Sequence, residues 1–311
     1  MNRNLARKFA VVTGGTDGIG KEIARGLAQE GIQVTIVGRN PEKGARAQQE
    51  LRDSTQNPDV HFTQADLGLV SEANRLAVEL RRRATSLHYL VHSAGILRGR
   101  HELTAEGLES NFAVNYLSRF ALTGHLLPLL AAAGGPQAVA RIVVVSGAAQ
   151  HGRIQFDDVN LTSNFSTLRA VLQFCQANDV FTAELARRLR VSGQPPAVTV
   201  ACLKIGVVKT NIRRGFPGWM KLLVPLVFDP LLGQTASEAA DAALELLLAE
   251  RFGNVSGGLF LKIKKFKQIS PKSNPTDRED ARRLWELSQH LTANAMPGGA
   301  MTPGSLIPAL P

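Results

Sequence analysis

The glycine-rich segment Thr13–Gly20 has the residue types that most clearly indicate chemistry. It reads TGGTDGIG and lies between an apolar segment, Phe9–Val12, and a predicted helix. Glycines let backbone amides approach a pyrophosphate, and the amino end of a helix offers unpaired N–H donors to that anion. The segment therefore predicts a dinucleotide site. Its contacts are predicted at Gly14, Thr16, Asp17, Gly18, Ile19 and Gly20.

The end of the second predicted strand indicates which dinucleotide binds. An acidic residue there would hydrogen-bond the ribose hydroxyls of NAD, but the chain has Gly38, Arg39 and Asn40. An arginine pairs well with a 2′-phosphate, so NADP(H) is favoured; a surface arginine at a helix start is the alternative. Further cofactor contacts are predicted at Asp66, Leu67, Ser93, Ala94 and Gly95.

A parallel sheet is needed to position these residues. Strand-like and helix-like segments alternate, which predicts an α/β fold: a single Rossmann-type doubly wound sheet of about seven parallel strands flanked by helices. Strands are predicted at Phe9–Val12, Gln33–Val37, Val60–Thr63, Tyr89–His92, Ile142–Val145, Val198–Leu203 and Gly258–Lys262. Helices are predicted at Ile19–Gln29, Glu42–Arg52, Glu72–Arg83, Ala105–Leu130, Leu168–Leu189 and Ser237–Ala249.

The domain is expected to span residues 1–292. A capping-box pattern predicts a closing helix over residues 276–292, and a mobile Pro/Gly-rich tail follows at 293–311.

The order of the motifs resembles the short-chain dehydrogenase/reductase family. TGGTDGIG, VGRN, ADL, SAG, RIVVVS, FTAELARRL and GVVKT are similar to the branch with retinol dehydrogenase-like and protochlorophyllide reductase-like proteins. The resemblance spans residues 8–292 and implies an NADP(H)-binding oxidoreductase scaffold. It also implies cofactor contacts at Gly206, Val208 and Thr210, and a homo-oligomer (dimer or tetramer) formed through the two longest helices.

The family's reaction uses four residues, of which this chain keeps one. Asn115 matches the asparagine that supports a water-linked proton relay. Gly147, Val171 and Cys175 stand where the resemblance implies a serine, a tyrosine and a lysine, and both tyrosines of the chain lie in other segments. A positioned general acid contributes about 10²–10⁴-fold. Ordinary tyrosine-dependent chemistry is therefore not expected, and the active site is predicted to be atypical.

Three other side chains are candidates for the missing chemistry. Cys175 would point toward the cofactor cleft, although a buried inert thiol is the simpler interpretation. His151 is either a general acid or base or a surface histidine. Lys204 would offer a cation near the nicotinamide, or is solvated at a strand end. The histidines and cysteines show no metal-ligand spacing, so no metal is expected.

An apolar small-molecule substrate is predicted from the segment where the family places its mobile lid, residues 211–234. Trp219, Met220 and Leu223 would wall a hydrophobic pocket there. A helix packed on the body, or a subunit contact, is the alternative.

Composition excludes several classes of protein. The net charge of +10 comes from scattered basic residues, which favours a solvated surface; nucleic acid is not expected, and a membrane surface is the less favoured partner. Two cysteines exclude a disulfide framework, and the first residues show no signal-peptide pattern. A cytoplasmic protein is expected.

Three functions remain open. The preferred one is an NADP(H)-binding enzyme that performs non-redox chemistry on an apolar, biosynthetic-type substrate: cyclisation, isomerisation or elimination. The second is an NADPH-dependent carbonyl reductase or alcohol dehydrogenase with a displaced proton donor. The third is a catalytically silent NADP(H)-binding partner protein.

Overall fold

Eight strands of the described residues form one sheet in the order β3-β2-β1-β4-β5-β6-β7-β8. The computed structural model describes residues 8–135, 138–190, 194, 196–206, 234–263, 265–269 and 278–293. Strands β1 to β7 are parallel and β8 is antiparallel to β7. This confirms the predicted Rossmann-type sheet and adds an eighth strand. The strands are β1 Phe9–Thr13, β2 Gln33–Gly38, β3 Val60–Gln64, β4 Tyr89–His92, β5 Ala140–Gly147, β6 Val198–Ile205, β7 Gly258–Lys262 and β8 Phe266–Ile269.

Helices cover both faces of the sheet and enclose two cores. They are α1 Gly18–Gln29, α2 Pro41–Thr55, α3 Val70–Arg83, α4 (Ser110–Phe112 and Ser118–Ala133, joined by a π-helical turn at Ala113–Leu117), α5 Thr167–Arg188, α6 Ala236–Leu248 and α7 Arg278–Ala293. One core lies under α3, α4, α5 and α7, and the other lies under α1, α2 and α6. The chain leaves β1 toward β3 and returns to β4 on the other side of β1. Ligands of such sheets bind at this reversal, outside the carboxyl ends of the strands.

Helix α4 begins at Ser110, so the start predicted at Ala105 was wrong. The reason is a cap: the Glu109 carboxylate accepts hydrogen bonds from the backbone N–H groups of Asn111 (3.0 Å) and Phe112 (2.8 Å). Residues before it form a tight turn, in which Leu103 bridges Glu109. By fixing the start of α4, the cap also fixes the position of the π-helical turn and of Asn115 within it.

Helix α7 packs on the outer face of the two longest helices. The Trp285 ring contacts Phe120 of α4 at 5.0 Å and Phe181 of α5 at 6.3 Å between centroids. The Tyr116 hydroxyl lies 2.7 Å from the Ser288 hydroxyl. In the described residues this face is therefore covered by the chain's own helix. The homo-oligomer stays a prediction. A dimer or tetramer that used this face of α4 and α5 would have to displace α7.

Candidate functional site

A cleft of about 480 Å³ opens at the reversal point of the sheet. Its wall brings together the glycine loop, the residues after β2 and β3, and the ends of β4, β5 and β6. The predicted cofactor residues on this wall are Gly14, Thr16, Asp17, Gly18, Ile19, Gly20, Arg39, Asp66, Leu67, Ser93, Ala94, Gly95 and Gly206, with Asn115 and Gly147 beside them. Asn40 does not line it; its side chain caps α2 by accepting from Lys43 N–H at 2.7 Å.

The glycine loop has a backbone that only glycine permits. Gly14 has φ +68°, and a Cβ there would lie 2.7 Å from the Ala94 backbone. Asp17 caps α1, since its carboxylate accepts from the Gly18 N–H at 2.8 Å. The first residues of α1, Gly18, Ile19 and Gly20, line the cleft. These features fit a pyrophosphate, which helix amino ends bind through free N–H groups.

Two cations lie at the β2 end of the cleft. Arg39 was predicted there; Lys43, one helical turn further along α2, was missed. Lys43 also pairs with Asp17. Gly38 has no acidic side chain of the kind typical of an NAD site, and a Cβ there would lie 2.7 Å from Thr16 Cγ2, so any larger residue would have to displace the Thr16 side chain. This charge and shape fit the 2′-phosphate of NADP(H).

Hydrogen bonds hold the residues after β4 in place. The Thr13 hydroxyl accepts from the Ser93 and Ala94 N–H groups, both at 3.2 Å. The Asn115 amide accepts from Ile96 N–H at 3.1 Å and donates to the Ile96 carbonyl at 2.9 Å and the Asn111 carbonyl at 2.8 Å. The Asn115 side chain thus shapes the cleft wall, while its backbone carbonyl accepts from Asn178 at 2.9 Å.

The structure brings Gly147 and Cys175 face to face at the β5 end. A Cβ on Gly147 would lie 3.1 Å from the Cys175 Sγ. Val171 lies one turn earlier on α5, half-buried against the core, and Phe174 is the α5 residue that lines the cleft. Burial raises the pKa of the Cys175 thiol, which keeps it protonated. This favours the interpretation of Cys175 as a buried, unreactive thiol.

The remaining acid candidates lie elsewhere. His151 is exposed, has φ 61° and does not line the cleft. Tyr116 and Tyr89 are buried in the two cores, and burial raises the pKa of Tyr116 well above its usual value. Among the described residues, no tyrosine lines the cleft. His92 is buried with its Nε2 2.8 Å from the Thr123 hydroxyl, and burial and Arg119 lower its pKa to about 3.

Lys204 is not solvated, so that interpretation was wrong. Its side chain has no exposed surface, and its Nζ lies 2.5 Å from Asp179 Oδ2. Burial on its own lowers the pKa of the Lys204 amine, but the neighbouring Cys202 and Asp179 raise it above its ordinary value. Lys204 does not line the cleft. The Lys204 ammonium is therefore paired with Asp179 beneath the cleft and does not face a ligand.

Arg119 is a cation of the cleft that sequence reasoning missed. It follows Asn115 by one helical turn and lines the cleft, although only 4% of the residue is exposed. Its guanidinium donates to Val145 O (2.9 Å), Asn178 Oδ1 (3.2 Å) and Ala94 O (2.9 Å). None of these acceptors carries a charge. Burial lowers the pKa of Arg119 to about 10, so it stays charged at neutral pH.

Several predicted site residues lie outside the described residues. They are Val208, Thr210, Trp219, Met220 and Leu223, with the lid predicted over 211–234 except Gln234, and the tail after Ala293. In the part of the chain that is described, no group of three His, Cys, Asp or Glu side chains lies together as metal ligands would. None of the described helices combines the length and apolarity needed to cross a membrane.

Comparisons with known proteins give matches that span most of the chain. Residues 8–220 match the family model of the short chain dehydrogenases. Human retinol dehydrogenase 12 is 35% identical over 291 residues, which cover 93% of this chain and 88% of that protein. Human polyprenol dehydrogenase is 30% identical, covering 92% of this chain and 85% of that protein.

Solved structures with the same fold include an NADP complex. An uncharacterised protein from Mycobacterium paratuberculosis has a TM-score of 0.72 at 27% identity and covers 93% of this chain and 94% of that one. The RhlG/NADP active-site complex of Pseudomonas aeruginosa has a TM-score of 0.65 at 25% identity, covering 83% and 95%.

Proposed function

The chain belongs to the short-chain dehydrogenase family, and on that premise we propose that it is an NADP(H)-binding enzyme that transforms an apolar small molecule without tyrosine-dependent hydride transfer. The observation that carries this proposal is that Gly147, which lines the β5 end of the cleft, faces the Cys175 thiol, with 3.1 Å between the sulfur and the place where a Cβ on Gly147 would stand. Neither residue supplies a hydroxyl acid or an ammonium group.

The charge of the cleft supports the cofactor part of the proposal. Four cations line it, Arg39, Lys43, Arg98 and Arg119, against the two carboxylates of Asp17 and Asp66. An excess of positive charge in a cleft attracts an anionic ligand such as NADP(H). When bound, that cofactor supplies a hydride donor or acceptor.

The apolar part of the wall supports the substrate class. The apolar side chains that line the cleft include Leu97, Val114, Phe174 and Ile205. Two relatives, named for retinol and polyprenol, are named for long apolar alcohols, which suggests an isoprenoid-like substrate for this chain as well. We place the reaction among cyclisations, isomerisations or eliminations, where confinement of the substrate supplies much of the rate. The cofactor then has a structural role, and a cytoplasmic location stays part of the proposal.

A second candidate is a dehydrogenase or carbonyl reductase with a displaced proton donor. The observation that favours it is the 35% identity with retinol dehydrogenase 12, which extends over nearly the whole chain. It requires a proton to reach the substrate oxygen from water or from a group other than Val171, which has no proton to give.

The test uses NADPH and all-trans-retinal as probes. Calorimetry measures NADPH binding; absorbance of NADPH and chromatography of the retinoids then follow the reaction. We expect NADPH to bind and to stay unoxidised, and formation of a retinal isomer under those conditions would support non-redox chemistry directly. NADPH oxidation coupled to retinol formation at rates of about 1 s⁻¹ or more would establish the second candidate instead. Failure to bind NADPH would refute the cofactor assignment.

A further inference from the structure

Arg119 has hydrogen-bond donors that the protein does not use. A guanidinium has five N–H groups. In this structure three of them donate, two from Nη1 and one from Nη2. One N–H on Nη2 remains, and the buried Nε has no partner among the described residues. A buried cation whose partners are all uncharged normally faces an anionic or hydroxyl-rich ligand, because leaving it unpaired is costly.

The position of Arg119 identifies which part of a dinucleotide it would meet. Arg39 follows β2, the glycine loop follows β1, Ala94 follows β4, and Val145 lies on β5. These strands are neighbours in the order β2-β1-β4-β5, so Arg39 lies on the β2 side of the cleft and Arg119 lies on the β5 side. Three strand spacings separate them, about 14 Å. With its 2′-phosphate at Arg39 and its pyrophosphate at the loop, the cofactor would bring its nicotinamide half to Arg119.

The neighbourhood of Arg119 includes the position of the absent lysine. Cys175 stands where the family has a lysine that grips the nicotinamide ribose, and it lies on the face of α5 that meets the end of β5 at Gly147. Arg119 also bonds Asn178, three residues after Cys175 on α5. Arg119, on α4, thus places a positive charge close to position 175 of α5, where the family has its lysine.

We infer that Arg119 binds the nicotinamide-ribose half of NADP(H), donating from its unused Nη2 N–H to a ribose oxygen in place of the missing lysine. The inference rests on the proposed NADP(H) binding. Lys204 does not take this role, because its ammonium is neutralised by Asp179 and does not reach the cleft wall.

The test separates the two halves of the cofactor. Calorimetry measures binding of NADPH and of 2′,5′-ADP, which has the adenosine half only, to the wild type and to Arg119→Met and Arg119→Gln. The glutamine variant keeps an amide donor for a backbone carbonyl, and so protects the fold. We expect both variants to bind NADPH about tenfold or more weakly, with 2′,5′-ADP affinity within about twofold of the wild type.

Arg141→Met is the matched control. Arg141 is also a part-buried arginine that donates only to carbonyls, those of Leu246 and Ala249, but it does not line the cleft. The Arg141→Met variant should bind NADPH and 2′,5′-ADP with the affinities of the wild type. Adding Cys175→Lys to Arg119→Met should restore NADPH affinity, because a cation returns to the same space.

Three results would contradict the inference or its premise. Unchanged NADPH affinity in both Arg119 variants would overturn it. An equal loss for NADPH and 2′,5′-ADP would also overturn it, because the effect would then be a general distortion of the cleft. A wild type that binds 2′,5′-ADP and NADPH too weakly to measure would refute the proposed function itself.

Discussion

The buried pair Lys204–Asp179 should be a strongly coupled structural element rather than part of the reaction. Lys204 has no exposed surface, Asp179 is 5% exposed, and the atoms that pair lie 2.5 Å apart. Removing one member of such a pair leaves an uncompensated buried charge and costs about 3–5 kcal/mol. Replacing both members with apolar residues removes two desolvation costs together with the attraction, and is often neutral or stabilising by about 1–4 kcal/mol.

A double-mutant cycle measures this coupling. Lys204→Met, Asp179→Leu and the double variant are compared with the wild type by urea unfolding, with circular dichroism as the signal. We expect each single variant to lose about 3–5 kcal/mol and the double variant to lose about 1 kcal/mol or less, which gives a coupling energy of about 5 kcal/mol or more. The exposed pair Arg282–Glu286 is the control, and its coupling should be about 0.2–1 kcal/mol.

The pH dependence of the Lys204→Met variant gives a second test, because the direction in which its stability deficit changes with pH can be predicted. Burial raises the pKa of the Asp179 carboxyl in the wild type although Lys204 opposes the rise, so without Lys204 the pKa rises further and the folded variant keeps a proton that the unfolded state has lost. Its stability deficit is therefore smallest in acid and grows as pH rises through that pKa. Coupling below about 1 kcal/mol, or a deficit that grows toward acid pH, would refute the argument that this pair is a compensated buried ion pair.

Three further predictions concern the cofactor, the acid limb of stability and the closing helix. Arg39→Ala should weaken NADPH binding about tenfold or more and leave NADH unchanged; equal effects by calorimetry would mean that Arg39 does not contact the 2′-phosphate. Burial and Arg119 lower the pKa of His92 to about 3, against about 6.5 for a histidine in the unfolded chain, so the wild type should lose up to about 5 kcal/mol as pH falls through that window. His92→Asn should flatten this loss in urea unfolding, whereas the exposed His151→Asn should not; parallel curves for wild type and His92→Asn would contradict it. Trp285→Ala should cost about 3–5 kcal/mol of unfolding free energy by loss of buried ring contacts, and a loss under 1 kcal/mol would mean that α7 contributes little.

The sheet and the cofactor loop could be predicted because their determinants are local. Parallel strands buried on both faces read as continuous apolar runs, and the loop needs glycine at Gly14, where φ is positive. Local patterns fail at the start of α4. The segment before Ser110 has helical composition, but Glu109 fixes the first turn through two backbone hydrogen bonds and forces the chain into a turn before it.

Apart from Arg39, the positions of the charges in and beneath the cleft could not be predicted, because each depends on a partner far along the chain. Lys43 meets Asp17 across 26 positions, Lys204 meets Asp179 across 25, and Arg119 meets Asn178 across 59. In the sequence all three cations look like ordinary surface residues, which is the usual state of Lys and Arg. A signal did exist for Arg119, since it stands one helical turn after Asn115 in a long apolar helix, where a charged residue needs a partner.

Gly147, Cys175 and Arg119 fit one another in size and charge at the reaction end of the cleft. Substitutions meant to restore hydride transfer therefore have to take all three into account. A serine Cβ at Gly147 would press on the Cys175 sulfur at 3.1 Å, closer than most Cβ contacts. A lysine at position 175 would bring a second positive charge beside the Arg119 guanidinium, whose pKa is already lowered to about 10 by burial. Installing serine, tyrosine and lysine together therefore places two cations in one poorly solvated space. We expect Gly147→Ser, Val171→Tyr and Cys175→Lys to gain carbonyl reduction only when Arg119→Met removes the competing charge. Equal activity of the triple and quadruple variants toward all-trans-retinal would show that the two cations do not compete.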